Sequence, residues 1–243
     1  MFKYLKIKKQ KSDLSSLLDP SYHLLSTFKE ICLGSFNHSY KLMKMIENIS
    51  FNLDLDINFM KVCAMYHDIG KMINPLYFLE NQTNSKNIHD TLTPALSYQI
   101  ITRHVSDSVM ILSNDRNFSR NIIDVVCQHH GTTVLKYFFD KSGTINKNIF
   151  RYKTMKPQSL ESMILMLCDI TEAKSRSILQ SQPENLDPVV IINSTIDHLL
   201  NDGQFENIYL RLGDLKVIKE ILIKELDCIY QKRVDYDKVV VHK

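Results

Sequence analysis

A chain of 243 residues with 44% hydrophobic and 23% charged residues and a net charge of +3 has the make-up of an ordinary globular protein. Six glycines and six prolines exclude a collagen-like or linker-dominated chain, and the apolar content excludes a disordered one. The longest apolar runs, such as Met163 to Cys168 and Val189 to Ile192, fall far short of the roughly 20 residues a bilayer crossing needs.

The charge is unevenly placed. Lys3, Lys6, Lys8, Lys9 and Lys11 stand at the start with no acid among them, and since they outnumber the net +3, the rest of the chain is mildly acidic. No apolar core follows, because Lys11 to Ser16 reads Lys-Ser-Asp-Leu-Ser-Ser, so a cytoplasmic location is expected rather than export. A solvated tail is the plain reading of 1–17, and peripheral contact with anionic lipid or a membrane protein is the sharper one. No basic stripe continues into the body, which disfavours a nucleic-acid duplex as partner. Cys32, Cys63, Cys127, Cys168 and Cys228 are far apart, odd in number and form no Cys-x-x-Cys pair, which suits core positions in a reducing compartment.

Along the chain, apolar residues recur at three- and four-residue steps in Leu24–Phe28–Ile31, Leu42–Met45–Ile46–Ile49, Ile57–Met60–Val62–Met65 and Leu96–Ile100–Ile101–Val105–Val109–Leu112, which predicts helices. Further helices are expected over about 119–129, 158–179, 187–201 and 214–232. Breaks are expected at Asp19-Pro20, Gly34, Asn74-Pro75, the polar stretch Asn81 to Asp90, Gly131 to Lys156, Gln182-Pro183 and Asp202-Gly203. The expectation is one all-α domain over 18–232, with a basic tail at 1–17 and a C-terminal tail at 233–243.

The densest chemical signal is Tyr66-His67-Asp68-Ile69-Gly70-Lys71, where two metal-ligand types adjoin at a helix end. Adjacent helical residues point about 100° apart, so such a pair shares an ion only if the ion lies between their directions. Taken singly, the pair reads equally as a surface ion pair, and each other histidine as a hydrogen-bonded core residue. Taken together, His38, His67-Asp68, His104, His129-His130 and Asp169 lie at helix ends or on inward faces and supply nitrogen and oxygen donors for two borderline cations. Asp169 interrupts a very apolar run, where an acid is costly unless a cation or strong donors meet it.

This ordered set resembles the HD-domain metal phosphohydrolases, and within them the cytoplasmic HD domain of the seven-transmembrane phosphodiesterases that hydrolyse cyclic di-AMP. The matching text includes Leu18-Asp19-Pro20, Gly34 to Ser39, Tyr66 to Met72, Pro75-x-Tyr77-Phe78-x-Glu80-Asn81-Gln82, His104-Val105-x-Asp107, Gln128-His129-His130-Gly131-Thr132, Arg151-Tyr152, Lys156-Pro157-Gln158 and Met166-Leu167-Cys168-Asp169 with Glu172-Ala173. It covers nearly all of 18–230.

The resemblance implies a helical bundle with a dinuclear site. One ion would be held by His38, His67, Asp68 and Asp169, the other by Asp68, His104, His129 and His130, with Asp68 bridging. Mn or Fe are the divalent ions most in keeping with such ligands. A hydroxide shared by the ions would attack phosphorus, opening a cyclic dinucleotide, cyclic di-AMP first, to pApA. Lys71 would be the protein cation beside the scissile phosphate, and Arg151 and Lys153 would steer or clamp the anion. Tyr77, Phe78, Glu80, Asn81 and Gln82 would offer stacking and hydrogen-bonding groups to a base, and Glu172 would orient a ligand histidine. The alternatives are a phosphohydrolase of another nucleotide or short oligonucleotide, and a non-catalytic nucleotide- or metal-binding signalling module.

The chain departs from its relatives at Asn37, where another histidine is frequent, at Ser108, where glycine is common, and at Lys174, where a small residue is usual. It lacks the Gly-Tyr-Pro element of the cyclic di-GMP branch. Because it starts just ahead of the HD portion, a stand-alone form or one anchored by a partner is expected.

Overall fold

The computed structural model describes residues 14–82, 87–181 and 186–239, with side chains up to 228. The lysine cluster of the basic tail, and with it the expected membrane contact, lies outside the described residues. Nine α-helices occur among the described residues: α1 (His23–Ile31), α2 (Leu33–Asn52), α3 (Ile57–Tyr66), α4 (Pro94–Ser113), α5 (Arg120–Gln128), α6 (Lys136–Ser142), α7 (Leu160–Ser181), α8 (Pro188–Asn201) and α9 (Leu212–Val239). The only pairing of extended backbone among those residues is one isolated antiparallel bridge between Val134 and Arg151.

The helices start where side chains can satisfy the free N–H groups of a first turn. Asp56 accepts from Phe59 N ahead of α3, Thr93 from Leu96 N ahead of α4, and Asp187 from Val189 and Val190 N ahead of α8, the last two followed by proline at the first helical position. The hydrophobic stripes then decide the packing. α2 lies against α3, α7 and α9, and α7 lies against α2, α5 and α8. Met163 to Cys168 on α7 are wholly buried, and each Met, Ile or Leu there contributes roughly 1.5–3 kcal/mol by leaving water. This run forms the floor from which Asp169 emerges.

Three local features differ from the sequence reading. The break ahead of α2 falls at Cys32 (φ −131°, ψ 57°), and Gly34 lies inside the first turn of the helix. The stretch expected as a break after Gly131 contains α6, whose Phe138 joins Tyr98 and Phe150 in a small separate cluster; seven residues are too few to show a helical period. At the ends, Leu14–Leu18 forms a 3-10 turn that buries Leu14 and Leu17, with the Leu17 carbonyl accepting from the Tyr66 hydroxyl at 2.6 Å, while α9 runs on to Val239. No helix among the described residues is long and apolar enough to cross a membrane.

Candidate metal centre

α3 ends at Tyr66, and the chain tightens into a 3-10 turn over Ile69–Ile73. That change of winding swings His67 and Asp68 toward one point in the interior. Gly70 permits it, because a Cβ there would lie 2.1 Å from the His104 carbonyl oxygen of α4. Ser108, one turn further along α4, fastens the contact: its hydroxyl accepts from Gly70 N at 2.8 Å and donates to the His67 carbonyl at 3.0 Å. His104 comes from the middle of α4, His129 and His130 from the end of α5, His38 from the first half of α2 and Asp169 from α7.

All seven converge, and Asp68 lies between two sets. Its Oδ2 faces His67 Nε2 at 3.1 Å and His38 Nε2 at 3.9 Å, and its Oδ1 faces His104 Nε2 at 3.3 Å and His129 Nε2 at 3.9 Å. Asp169 approaches from below, with Oδ1 3.0 Å from His38 Nε2 and 3.9 Å from His67 Nε2, and Oδ2 3.6 Å from His130 Nδ1. Three overlapping groups have ligand atoms close enough to share an ion: Asp68 with His104, His129 and His130; His38 with His67 and Asp68; and His67 with His129 and Asp169.

The outer ring nitrogens explain why the inner ones act as acceptors. His67 Nδ1 is 2.8 Å from the Ala64 carbonyl, His104 Nδ1 2.6 Å from that of Ile101 and His129 Nδ1 2.5 Å from that of Val126, each three residues earlier. A carbonyl only accepts, so each Nδ1 carries the proton and each Nε2 presents its lone pair inward. His38 differs: its Nδ1 donates to the Glu172 carboxylate at 2.7 Å.

This arrangement is unfavourable without a cation. His104 Nε2 and His129 Nε2 stand 3.4 Å apart with lone pairs facing, and burial, reinforced by His67 and His104, pushes His129 down to about 3, so it stays neutral. His67 Nε2 and Asp68 Oδ1 are fully buried with no hydrogen-bond partner, a condition native interiors avoid. Burial also keeps His130 well below its ordinary value, aided by His129. Burial would raise the Asp68 carboxyl, but His67, Lys71 and His104 together hold it well below the usual range. An anionic carboxylate ringed by imidazole nitrogens is a donor set suited to divalent transition ions.

The HD domain model matches residues 35–174. The chain belongs to the HD-domain family. Among similar proteins, the cyclic-di-AMP phosphodiesterase PgpH of Listeria monocytogenes serotype 1/2a is 35% identical over 229 residues, covering 93% of this chain and 32% of that protein. PgpH of Bacillus subtilis is 34% identical over 227 residues, covering 92% and 32%. The chain thus spans about a third of the length of these relatives. The crystal structure of the L. monocytogenes PgpH HD domain superposes with a TM-score of 0.80 at 34% identity, covering 86% of this chain and 99% of that one. The same domain in complex with cyclic di-AMP gives 0.80 at 33%, covering 87% and 100%. HD domains bind divalent metals, and the histidine and aspartate cluster described above has the donors to hold them.

Around this centre the remaining candidates divide. Lys71 Nζ lies 2.8 Å from Asp68 Oδ2 and 2.6 Å from Glu80 Oε1, and 4.9 Å above the Phe78 ring. Burial opposes its charge, yet the two carboxylates raise it far above an ordinary lysine. Glu80 also accepts from Ser35 Oγ at 3.0 Å, and Asn81 Oδ1 accepts from Ser35 N at 3.0 Å, so both tie the loop to the start of α2. Phe78 is buried edge-on to His104 at 5.7 Å. Tyr77 is half-buried, its carbonyl accepting from His89 Nε2 at 2.8 Å. Arg151 makes a two-pronged pair with Asp202 at 2.6 and 2.8 Å, and Lys153 is exposed. Of the departures, Lys174 is half-buried and donates to Thr195 Oγ1 at 3.0 Å. Sequence reasoning gave no role to Tyr152, which stacks on His130 at 4.3 Å, nor to Asp202 and Gln204.

Proposed function

We propose that this chain is a metal-dependent phosphodiesterase that opens a cyclic dinucleotide, cyclic di-AMP to pApA before others, in the cytoplasm. The observation that carries this reading is the division of Asp68, one oxygen toward His38 and His67 and the other toward His104 and His129. A buried carboxylate so placed suits two cations and little else. The similarity to PgpH, whose HD domain is known in complex with cyclic di-AMP, supports the choice of substrate.

His38, His67, Asp68 and Asp169 would hold one ion, and Asp68, His104, His129 and His130 the other, with Mn or Fe in keeping with mixed imidazole and carboxylate donors. Two such ions acidify water to near-neutral pKa and neutralise charge on phosphoryl oxygens. The protein's part is orientation. The backbone carbonyls at 64, 101 and 126 fix three imidazoles, Glu172 fixes a fourth, and Lys71, held by Glu80, adds positive charge where the phosphodiester gathers negative charge.

The test is product formation from cyclic di-AMP by the purified chain, with Mn, Fe or Mg added separately and Asp68→Ala alongside. Metal-dependent release of pApA, lost by at least about a thousandfold in Asp68→Ala while the helical circular dichroism persists, is the expected result. A wild-type chain that binds two ions and releases no product from cyclic di-AMP would overturn the substrate assignment. Undiminished turnover in the variant would overturn the metal assignment.

A further inference from the structure

His130 stands apart from the other ligand candidates. His67, His104 and His129 are each fixed by the carbonyl three residues earlier and His38 by Glu172, whereas His130 turns Nδ1 inward toward Asp169. What holds it is the turn that follows. Gly131 takes the left-handed conformation (φ +52°), and a Cβ there would meet Gln204 Oε1 at 2.4 Å. Gln204, wholly buried, accepts from Thr132 N at 3.0 Å and donates through Nε2 to Thr132 Oγ1 at 3.0 Å and to Asp202 Oδ2 at 2.8 Å. Arg151 holds the other backbone polar group of the same residue, donating to the Thr132 carbonyl at 2.7 Å, while its guanidinium pairs with Asp202. The Gly131 carbonyl accepts from Thr154, and Tyr152 closes the open face of the His130 ring, stacked at 26°.

We propose that Gln204 and Asp202, in the turn between α8 and α9, are positioning residues for His130 and so set the affinity of the ion held by His104, His129 and His130. The inference rests on the two-ion reading given above. Both residues lie beyond 35–174, the part of the chain that the HD domain model matches. They act through backbone: with both backbone polar groups of Thr132 held, the turn has one conformation, and the ring two residues upstream has one direction. Arg151 thereby has its guanidinium committed to Asp202 and Thr132 rather than to an anionic ligand.

The experiment is Mn binding by the metal-free full chain, followed by calorimetry and by metal content after gel filtration. Gln204→Ala removes three hydrogen bonds at once, and Asp202→Asn weakens the Arg151 pair at a better-solvated position. The expected result is two ions in the wild type and, in both variants, one ion bound as before with the other weakened about 10- to 100-fold. Thermal unfolding of the metal-free variants separates this from collapse of the fold. Two ions bound with wild-type affinities in Asp202→Asn and in folded Gln204→Ala would overturn the positioning role alone. A wild-type chain taking up a single ion would overturn the two-ion reading and this proposal with it.

Discussion

His38 is the ligand candidate whose proton matters most. Burial disfavours its charge, but hydrogen bonds to Asp169 and Glu172 prevail and raise it to about 9. At about pH 7 the metal-free ring therefore carries a proton on Nε2 that an ion must displace. Calorimetry in buffers of different ionisation enthalpy should show release of about one proton as the His38 ion binds; a slope of zero would contradict the assignment. The same linkage shapes stability without metal. A pKa raised in the folded state stabilises it fully below the unfolded value of 6.5 and loses that contribution as pH rises through about 9. His129, pushed down to about 3, contributes fully above 6.5 and loses its contribution as pH falls toward 3. Asp68 and Asp169, held low by neighbouring cations and donors, act in the same direction below the usual carboxylate range. The urea midpoint of the metal-free chain should therefore peak near the unfolded histidine value of 6.5 and fall on both sides. A midpoint that climbs steadily to pH 9 would show that His38 is neutral in the folded chain.

The contact between α4 and the 3-10 turn over Ile69–Ile73 carries the geometry from one element to another. A Cβ on Gly70 would press on the backbone of His104 and Ser108, which can yield only by moving a ligand. Gly70→Ala should cost about 1–3 kcal/mol in urea denaturation and reduce bound metal together with it; unchanged stability would show that the turn has slack. Ser108→Gly should cost about 1–3 kcal/mol, since it leaves the buried Gly70 N–H unpaired. The long helices were legible because burial on one face imposes a 3.6-residue period that the order of apolar residues reveals, as in Leu42–Met45–Ile46–Ile49. The convergence of His38, His104, His129, His130 and Asp169 was legible only as a set, through the resemblance. What escaped was held by neither period nor motif. α6 is too short to repeat, and Gln204 reaches Thr132 across 72 residues, a pairing that no local pattern announces. Glu172 was within reach because it sits one turn beyond Asp169 on the same helix face.

Across the whole molecule, the candidate ligands come from α2, the ends of α3 and α5, α4 and α7, so an ion here ties together elements that are distant in sequence. Metal at about 100-fold over its dissociation constant should stabilise the fold by about 2.7 kcal/mol, which for a chain of this size is a rise of roughly 5–10 °C in melting temperature. A melt in Mn against one in chelator checks this, and coincident curves would show that Mn has no preference for the folded chain. The means by which the imidazoles are oriented has a hereditary side. Three rely on peptide carbonyls at 64, 101 and 126, atoms that every amino acid possesses, so those positions can change identity across generations and still hold their rings. His38 relies on the carboxylate of Glu172, which a single replacement removes. A lineage drifting away from catalysis would therefore forfeit the His38 end of the centre first.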